Sequence, residues 1–214
     1  LYDVNLYIKD FHRISDLGLD LGPLADDNIN GDILTELRLT DYDDHPDNLE
    51  VTADLTRLAM EFPALGWSKG KGIGGMVEVD LILEGDLIVD VPRFALKGGG
   101  MVVQGSALYT ADGGELARIN LDRISYDRTD ISGAMIPGED GDWTASFYGA
   151  SFNLAPMFED LFNDDPKNKD STLRYSLSAD FDRVWLGPNR GLRRVVGTFS
   201  RDGNKWRGIT LDAE

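Results

Sequence analysis

Three groups of residues have the types and spacing from which chemistry can be built. Gly70, Gly72 and Gly75 keep the G-x-G-x-x-G spacing of a dinucleotide fingerprint, in which glycines let a pyrophosphate reach the first turn of a helix. Here Val77 to Leu83 follows as an alternating strand, so the spacing reads as a glycine loop. Asp41, Asp43, Asp44 and Asp47 crowd one loop with His45, and hard carboxylate oxygens at short spacing suit calcium. Pro46 stands where an EF-hand loop needs glycine, and the terminal Glu is missing, so the loop reads as a solvated hairpin tip. His12 and His45 have no Gly-x-Ser-x-Gly elbow nearby, and no two carboxylates are singled out by spacing. The expectation is a protein without a catalytic constellation, a metal or a cofactor. Trp67, Trp143, Trp185 and Trp206 can stack on sugars, but two of them hold equivalent positions after turns, which suits packing or a rim.

Composition narrows the classes further. Lys and Arg number 21 against 38 Asp and Glu, a net charge of −17, which repels phosphate backbones and excludes a nucleic-acid partner. With no cysteine there are no disulfides, thiolate zinc sites or cysteine nucleophiles. No apolar run approaches the ~20 residues of a spanning helix. The chain starts at Leu1 and closes on an alternating stretch, Gly208 to Glu214, which reads as a piece excised from a longer sheet.

The elements that must position any site are strands. Apolar and polar residues alternate through Leu37 and Leu39, then Val51 and Leu55, then Val77, Val79, Leu81 and Leu83, then Val89 and Val91. Further strands are expected at Met101 to Leu108 (with Val103), Leu116 to Tyr126, Thr129 to Met135, Trp143 to Phe147, Leu173 to Phe181, Leu192 to Phe199 and Trp206 to Ala213. Turn residues at 112–114, 138–141 and 202–204 join them as hairpins, predicting a long antiparallel run. One helix is expected at Asn153 to Phe162, capped by Asn153 with Pro156 in its first turn, followed by an exposed polar loop at 163–170.

An internal repeat runs through the strands. Residues 53–58, 119–124 and 179–184 share an apolar, Thr or Asp, Arg, apolar ending, with Arg57, Arg123 and Arg183 spaced by 66 and 60 positions. Gly133 and Gly197 follow the later copies, and Trp143 and Trp206 come after the next turns. The pattern divides the chain into module-like units near 1–66, 67–133 and 134–214. The fold class expected is mainly β: an elongated, twisted antiparallel sheet of repeating modules forming an open groove, with one short helix. Leu37, Leu39, Val51, Leu55, Val77, Val79, Leu81, Leu83, Val89, Val91 and Val103 are expected to line up as one apolar stripe if neighbouring strands pair in register. The repeat supplies no second set of strands to cover the stripe, so lipid is expected there.

Residues 62–69, Phe-Pro-Ala-Leu-Gly-Trp-Ser-Lys, preceded by the strand at 53–56, resemble the AsmA-like proteins of Gram-negative bacteria in their YhdP-type branch. Residues 186–192 with Val195, Gly197, Asp202, Gly203 and Trp206 are similar to a second recurring segment of that branch, and residues 16–24 to its linking turn. The resemblance implies a periplasmic protein tethered to the inner membrane by a segment outside residues 1–214. It also implies an apolar β-groove that carries phospholipid acyl chains between the inner and outer membranes. It transfers no active site. Two other classes stay open at this point: a carbohydrate-binding or adhesin-like β module, which needs aromatic rings on a flat exposed face, and a chaperone-like module for outer-membrane proteins, which needs an open strand edge.

Overall fold

The computed structural model describes residues 1–10, 28–42, 45–85, 87–110, 114–138, 141–158, 174–203 and 205–214. His12, Asp43, Asp44, the 16–24 segment, residues 159–162 of the expected helix and the 163–170 loop lie outside the described residues.

Alternation becomes fifteen strands among the described residues. They are β1 (Tyr2–Ile8), β2 (Ile29–Gly31), β3 (Ile33–Thr40), β4 (Asp47–Asp54), β5 (Leu58–Phe62), β6 (Trp67–Lys69), β7 (Gly75–Glu84), β8 (Leu87–Gly98), β9 (Met101–Tyr109), β10 (Leu116–Tyr126), β11 (Thr129–Pro137), β12 (Asp142–Asn153), β13 (Arg174–Gly187), β14 (Arg190–Asp202) and β15 (Lys205–Asp212). A 3-10 turn, Pro63–Leu65, joins β5 to β6, and α1 (Ala155–Phe158) follows β12. Twelve strands form one open twisted sheet in the order β1-β3-β4-β7-β8-β9-β10-β11-β12-β13-β14-β15, and β2, β5 and β6 form a small second sheet. The module boundary expected near 133 falls inside β11, so the large sheet runs straight through it.

The large sheet is the twisted, mostly antiparallel one expected, although not every pair runs that way: β12 and β13 pair in parallel, with α1 between them in the chain. A parallel neighbour needs a crossover of a dozen or more residues, which the stretch 154–173 is long enough to supply. One expectation needs correcting: the stripe does not lack a second set of strands. The small sheet lays Ile29, Leu58, Met60 and Trp67 against Ile33, Ala53, Met101 and Tyr126 in one core at the margin where β4 ends and β7 begins, here called the lower margin. Burying each such side chain contributes ~1.5–3 kcal/mol.

The register sorts the side chains of the large sheet into rows. Leu6, Thr35, Ala53, Val77, Leu96, Val103, Ile124, Ile131, Gly149, Phe181 and Val195 face one another strand by strand along the lower margin. The small sheet covers its first part. A second core, Ile131, Phe181, Val184 and Val195 with Leu154 and Phe152 packed on it, closes its far part. Asn153, expected as the helix cap, does accept a hydrogen bond from the Ala155 N–H through its side-chain oxygen, 3.3 Å away.

The repeat has a local cause. In β10 the register shifts after Leu121, so Leu121 and Ile124, three residues apart, both face the apolar side while Asp122 and Arg123 stay exposed. In β8 the shift between Val91 and Phe94 does the same with Pro92 and Arg93. Phe181 and Val184 make this step in β13, opposite Arg194, whose φ is 49°. In the first copy, Leu55 and Leu58 flank the turn at which the chain leaves the large sheet for the small one, and both are buried. In β8 and β10 an apolar pair three apart, with arginine just before the second member, marks a place where strand phase is reset.

Candidate functional site

Above the covered margin, two further rows cross the sheet. One is Val4, Leu37, Val51, Val79, Phe94, Gly105, Leu121, Gly133, Phe147, Ala179, Gly197 and Leu211, each hydrogen-bond register partner of the next. The other is Tyr2, Leu39, Leu49 and Leu81, then, across the β7–β8 irregularity, Val91, Ala107, Ile119, Met135, Ala145, Leu177, Phe199 and Ile209. Neither row contains a charged residue. Of the two, only Phe147 and Ala179 pack against either core. Twelve strands at ~4.8 Å spacing make each row ~53 Å long.

The other face carries the charged residues of the strands, interspersed with exposed Leu34, Met76, Leu108, Ile136, Tyr148 and Val196. Arg93 donates to Asp80 and Glu78, both at 3.0 Å, and Arg38 reaches Asp3 at 2.9 Å and Glu50 at 3.7 Å. Such exposed pairs contribute little stability, and their role is to keep this face in water. The total accessible surface is 13529 Å². A compact globule of 23.6 kDa exposes about 9,800 Å².

Glycines on the apolar face have a specific partner. Phe94 faces Gly105 and Phe147 faces Gly133 across the ladder, and in each case the ring occupies the space that a glycine Cβ would take. Aromatic rings therefore lie against backbone and keep the face free of projections.

The expected lining residues divide. Leu37, Val51 and Val79, all half-buried, sit in the first of these rows, and Leu39, Leu81 and Val91 in the second, where Val91 and its partner Ala107 are buried. Leu83 and Val89 are half-buried near the β7–β8 irregularity. Val77 and Val103 belong to the lower row packed against the first core, and Leu55 is 3% exposed within that core, so these three lie under the small sheet.

The other chemical groups resolve plainly. Gly75 opens strand β7, as the glycine-loop reading requires, and no helix follows it. Asp47 accepts the Tyr42 N–H at 3.1 Å, His45 is exposed, and no metal-ligand cluster occurs among the described residues. Trp67 is a core residue whose indole N–H donates to the Gly99 carbonyl at 3.0 Å. Trp185 donates to Ser151 and is flanked by the Arg128 and Arg183 guanidiniums.

Two cations escaped the sequence reading. Lys69 is 1% exposed, and its ammonium donates to the carbonyls of Leu55 and Leu58 at 2.5 and 2.8 Å. Its hydrocarbon chain runs over Gly75, Gly98 and Gly99, which explains why these positions carry no side chain. Burial pushes the Lys69 ammonium below its usual range, against the opposing pull of the Asp54 charge. Arg201 lies at the opposite, upper margin in register with Tyr175 and Trp206. A glycine triplet ahead of the β9 strand was the available signal for Lys69; nothing in the local pattern marks Arg201.

No family model, curated protein or solved structure matches the chain.

Proposed function

We propose that the apolar face binds phospholipid acyl chains and that the sheet is one segment of a conduit carrying phospholipid between the inner and outer membranes. The observation that supports this reading is the pair of uncharged rows crossing all twelve strands above the covered margin. Each methylene taken out of water contributes ~0.8 kcal/mol wherever it lies along such a row, so a chain is held without being fixed at one point. Transport of this kind needs no catalytic group and no cofactor. The sequence resemblance supplies the setting: the periplasm, with the tether to the inner membrane outside residues 1–214. A sugar-binding module would present flat exposed rings, whereas Phe94 and Phe147 are applied to glycines within the sheet.

A photoactivatable residue at Val79 is expected to crosslink phospholipid and one at Glu78, on the opposite face, is not. Val79→Asp is expected to lower the phospholipid that co-purifies in native mass spectrometry, because it puts a charge in the middle of an apolar row. Equal labelling at both positions, or none at either, defeats the reading. The outer edges of β1 and β15, which pair with no further strand among the described residues, favour a chaperone-like second reading in which a client strand adds to the sheet. Peptide crosslinks at β15 with no lipid at Val79 would establish it instead.

A further inference from the structure

The upper corner where β13, β14 and β15 meet differs from the rest of the apolar face. Trp143 and Tyr175 are register partners, and Tyr175 in turn pairs with Arg201, which pairs with Trp206. The two tryptophans of the sequence repeat thus converge on one tyrosine. Trp206 stands edge-on to Tyr175 and to Phe199, 6.5 Å from each, and the Arg201 guanidinium lies 5.4 Å from the Trp206 ring centre. Arg201 is half-buried, its Nε is shielded from water without a hydrogen-bond partner, and no carboxylate among the described residues pairs with it. A shielded N–H donor left unpaired costs stability, and an anion accepting from it would remove that cost.

Arg201 is the cation that this corner presents on the apolar face: Asp142, Arg174, Asp202 and Lys205 form the neighbouring register row, on the opposite face, where Arg207 pairs with Asp202. Hydrogen bonding from Arg207 holds the Asp202 carboxyl below its usual range, and the charges of Arg174 and Lys205 act in the same direction. Directly below Arg201, Phe199 and Leu177 begin the second apolar row. Tryptophan and tyrosine at such a boundary offer an apolar body to hydrocarbon and a polar tip to water. A planar guanidinium fork matches two oxygens of a phosphate.

We propose that Arg201, with Trp143, Tyr175 and Trp206 around it, binds the phosphodiester of a phospholipid headgroup while the acyl chains lie on the rows below; this rests on the lipid reading above and adds a headgroup contact to it.

The test is titration calorimetry on residues 1–214 with three probes: dioctanoylphosphatidylglycerol, dioctanoylglycerol, and inorganic phosphate. Arg201→Gln is expected to weaken the phospholipid at least tenfold, Arg201→Lys to recover part of that loss, and dioctanoylglycerol to bind wild type and Arg201→Gln equally. Unchanged dioctanoylglycerol binding also reports that the variant keeps its fold. Equal phospholipid affinity in wild type and Arg201→Gln, with both lipids bound, overturns the headgroup site and leaves the lipid reading standing. Failure of wild type to bind either lipid overturns both. Inorganic phosphate bound as tightly as the phospholipid, and lost in Arg201→Gln, overturns the lipid source in favour of free phosphate.

Discussion

Lys69 is the residue on which the lower margin depends. Its ammonium has no carboxylate in hydrogen-bond contact among the described residues and is held by two backbone carbonyls inside the core. Lys69→Ala removes both bonds and leaves a void over three glycines, so unfolding in denaturant is expected to show a loss of about 2–4 kcal/mol. The pH dependence has a definite sign. A lysine whose folded value is depressed binds fewer protons folded than unfolded between that value and about 10.4, so stability rises with pH across that window. Comparing wild type with Lys69→Met by denaturant unfolding through the alkaline range should show the rise in wild type alone; parallel curves would contradict it. Only the glycine triplet at 98–100 hinted at Lys69. Alternation alone revealed neither Lys69 nor Arg201, because it assigns a side chain to a face and says nothing about what covers that face. Val79 and Glu78 were legible for the same reason: period 2 separates neighbours regardless of context.

At the level of elements, the long strands were readable and the short ones were not. The strand over Leu116 to Tyr126 was expected at its observed bounds, since eleven residues give the alternation room to show. The three residues of β2 and of β6 cannot display a period, and with them the covering sheet went unseen. The parallel pairing of β12 and β13 was also hidden, because alternation is identical whichever way a strand runs. What the arginine step encodes is phase: in β8 and β10 it stands where a strand must return an apolar residue to the same face. Some glycines are equally constrained. A Cβ at Gly133 would press on the Ser146 carbonyl and the Phe147 ring, whereas one at Gly74 meets nothing within 4 Å. Gly133→Ala is expected to cost about 1–3 kcal/mol, and Gly74→Ala to be neutral or to stabilise by up to about 1 kcal/mol. Thermal unfolding of the two variants decides it, and equal midpoints would show that the Phe147 ring moves aside freely.

At the level of the whole molecule, spatial order follows chain order: beyond the excursion through the small sheet, every strand of the large sheet lies beside its neighbour in sequence. This bears on how the protein comes apart. Outside the first core, where the small sheet ties β3 and β4 to β9 and β10, each strand pairs only with its neighbours, so the far part of the sheet gains stability interface by interface, as solenoids do. The most extensive anchoring lies where β4, β7, β8, β9 and β10 share the first core, while β15 contributes exposed Ile209 and Leu211 at a free edge. Amide exchange is therefore expected to be graded, fastest in β15 and the outer half of β1 and slowest in β8 to β10. Uniform protection across the sheet would mean that all twelve strands open together. Graded fraying would leave β15 free to exchange one neighbouring strand for another at low cost, while the centre of the sheet holds its shape.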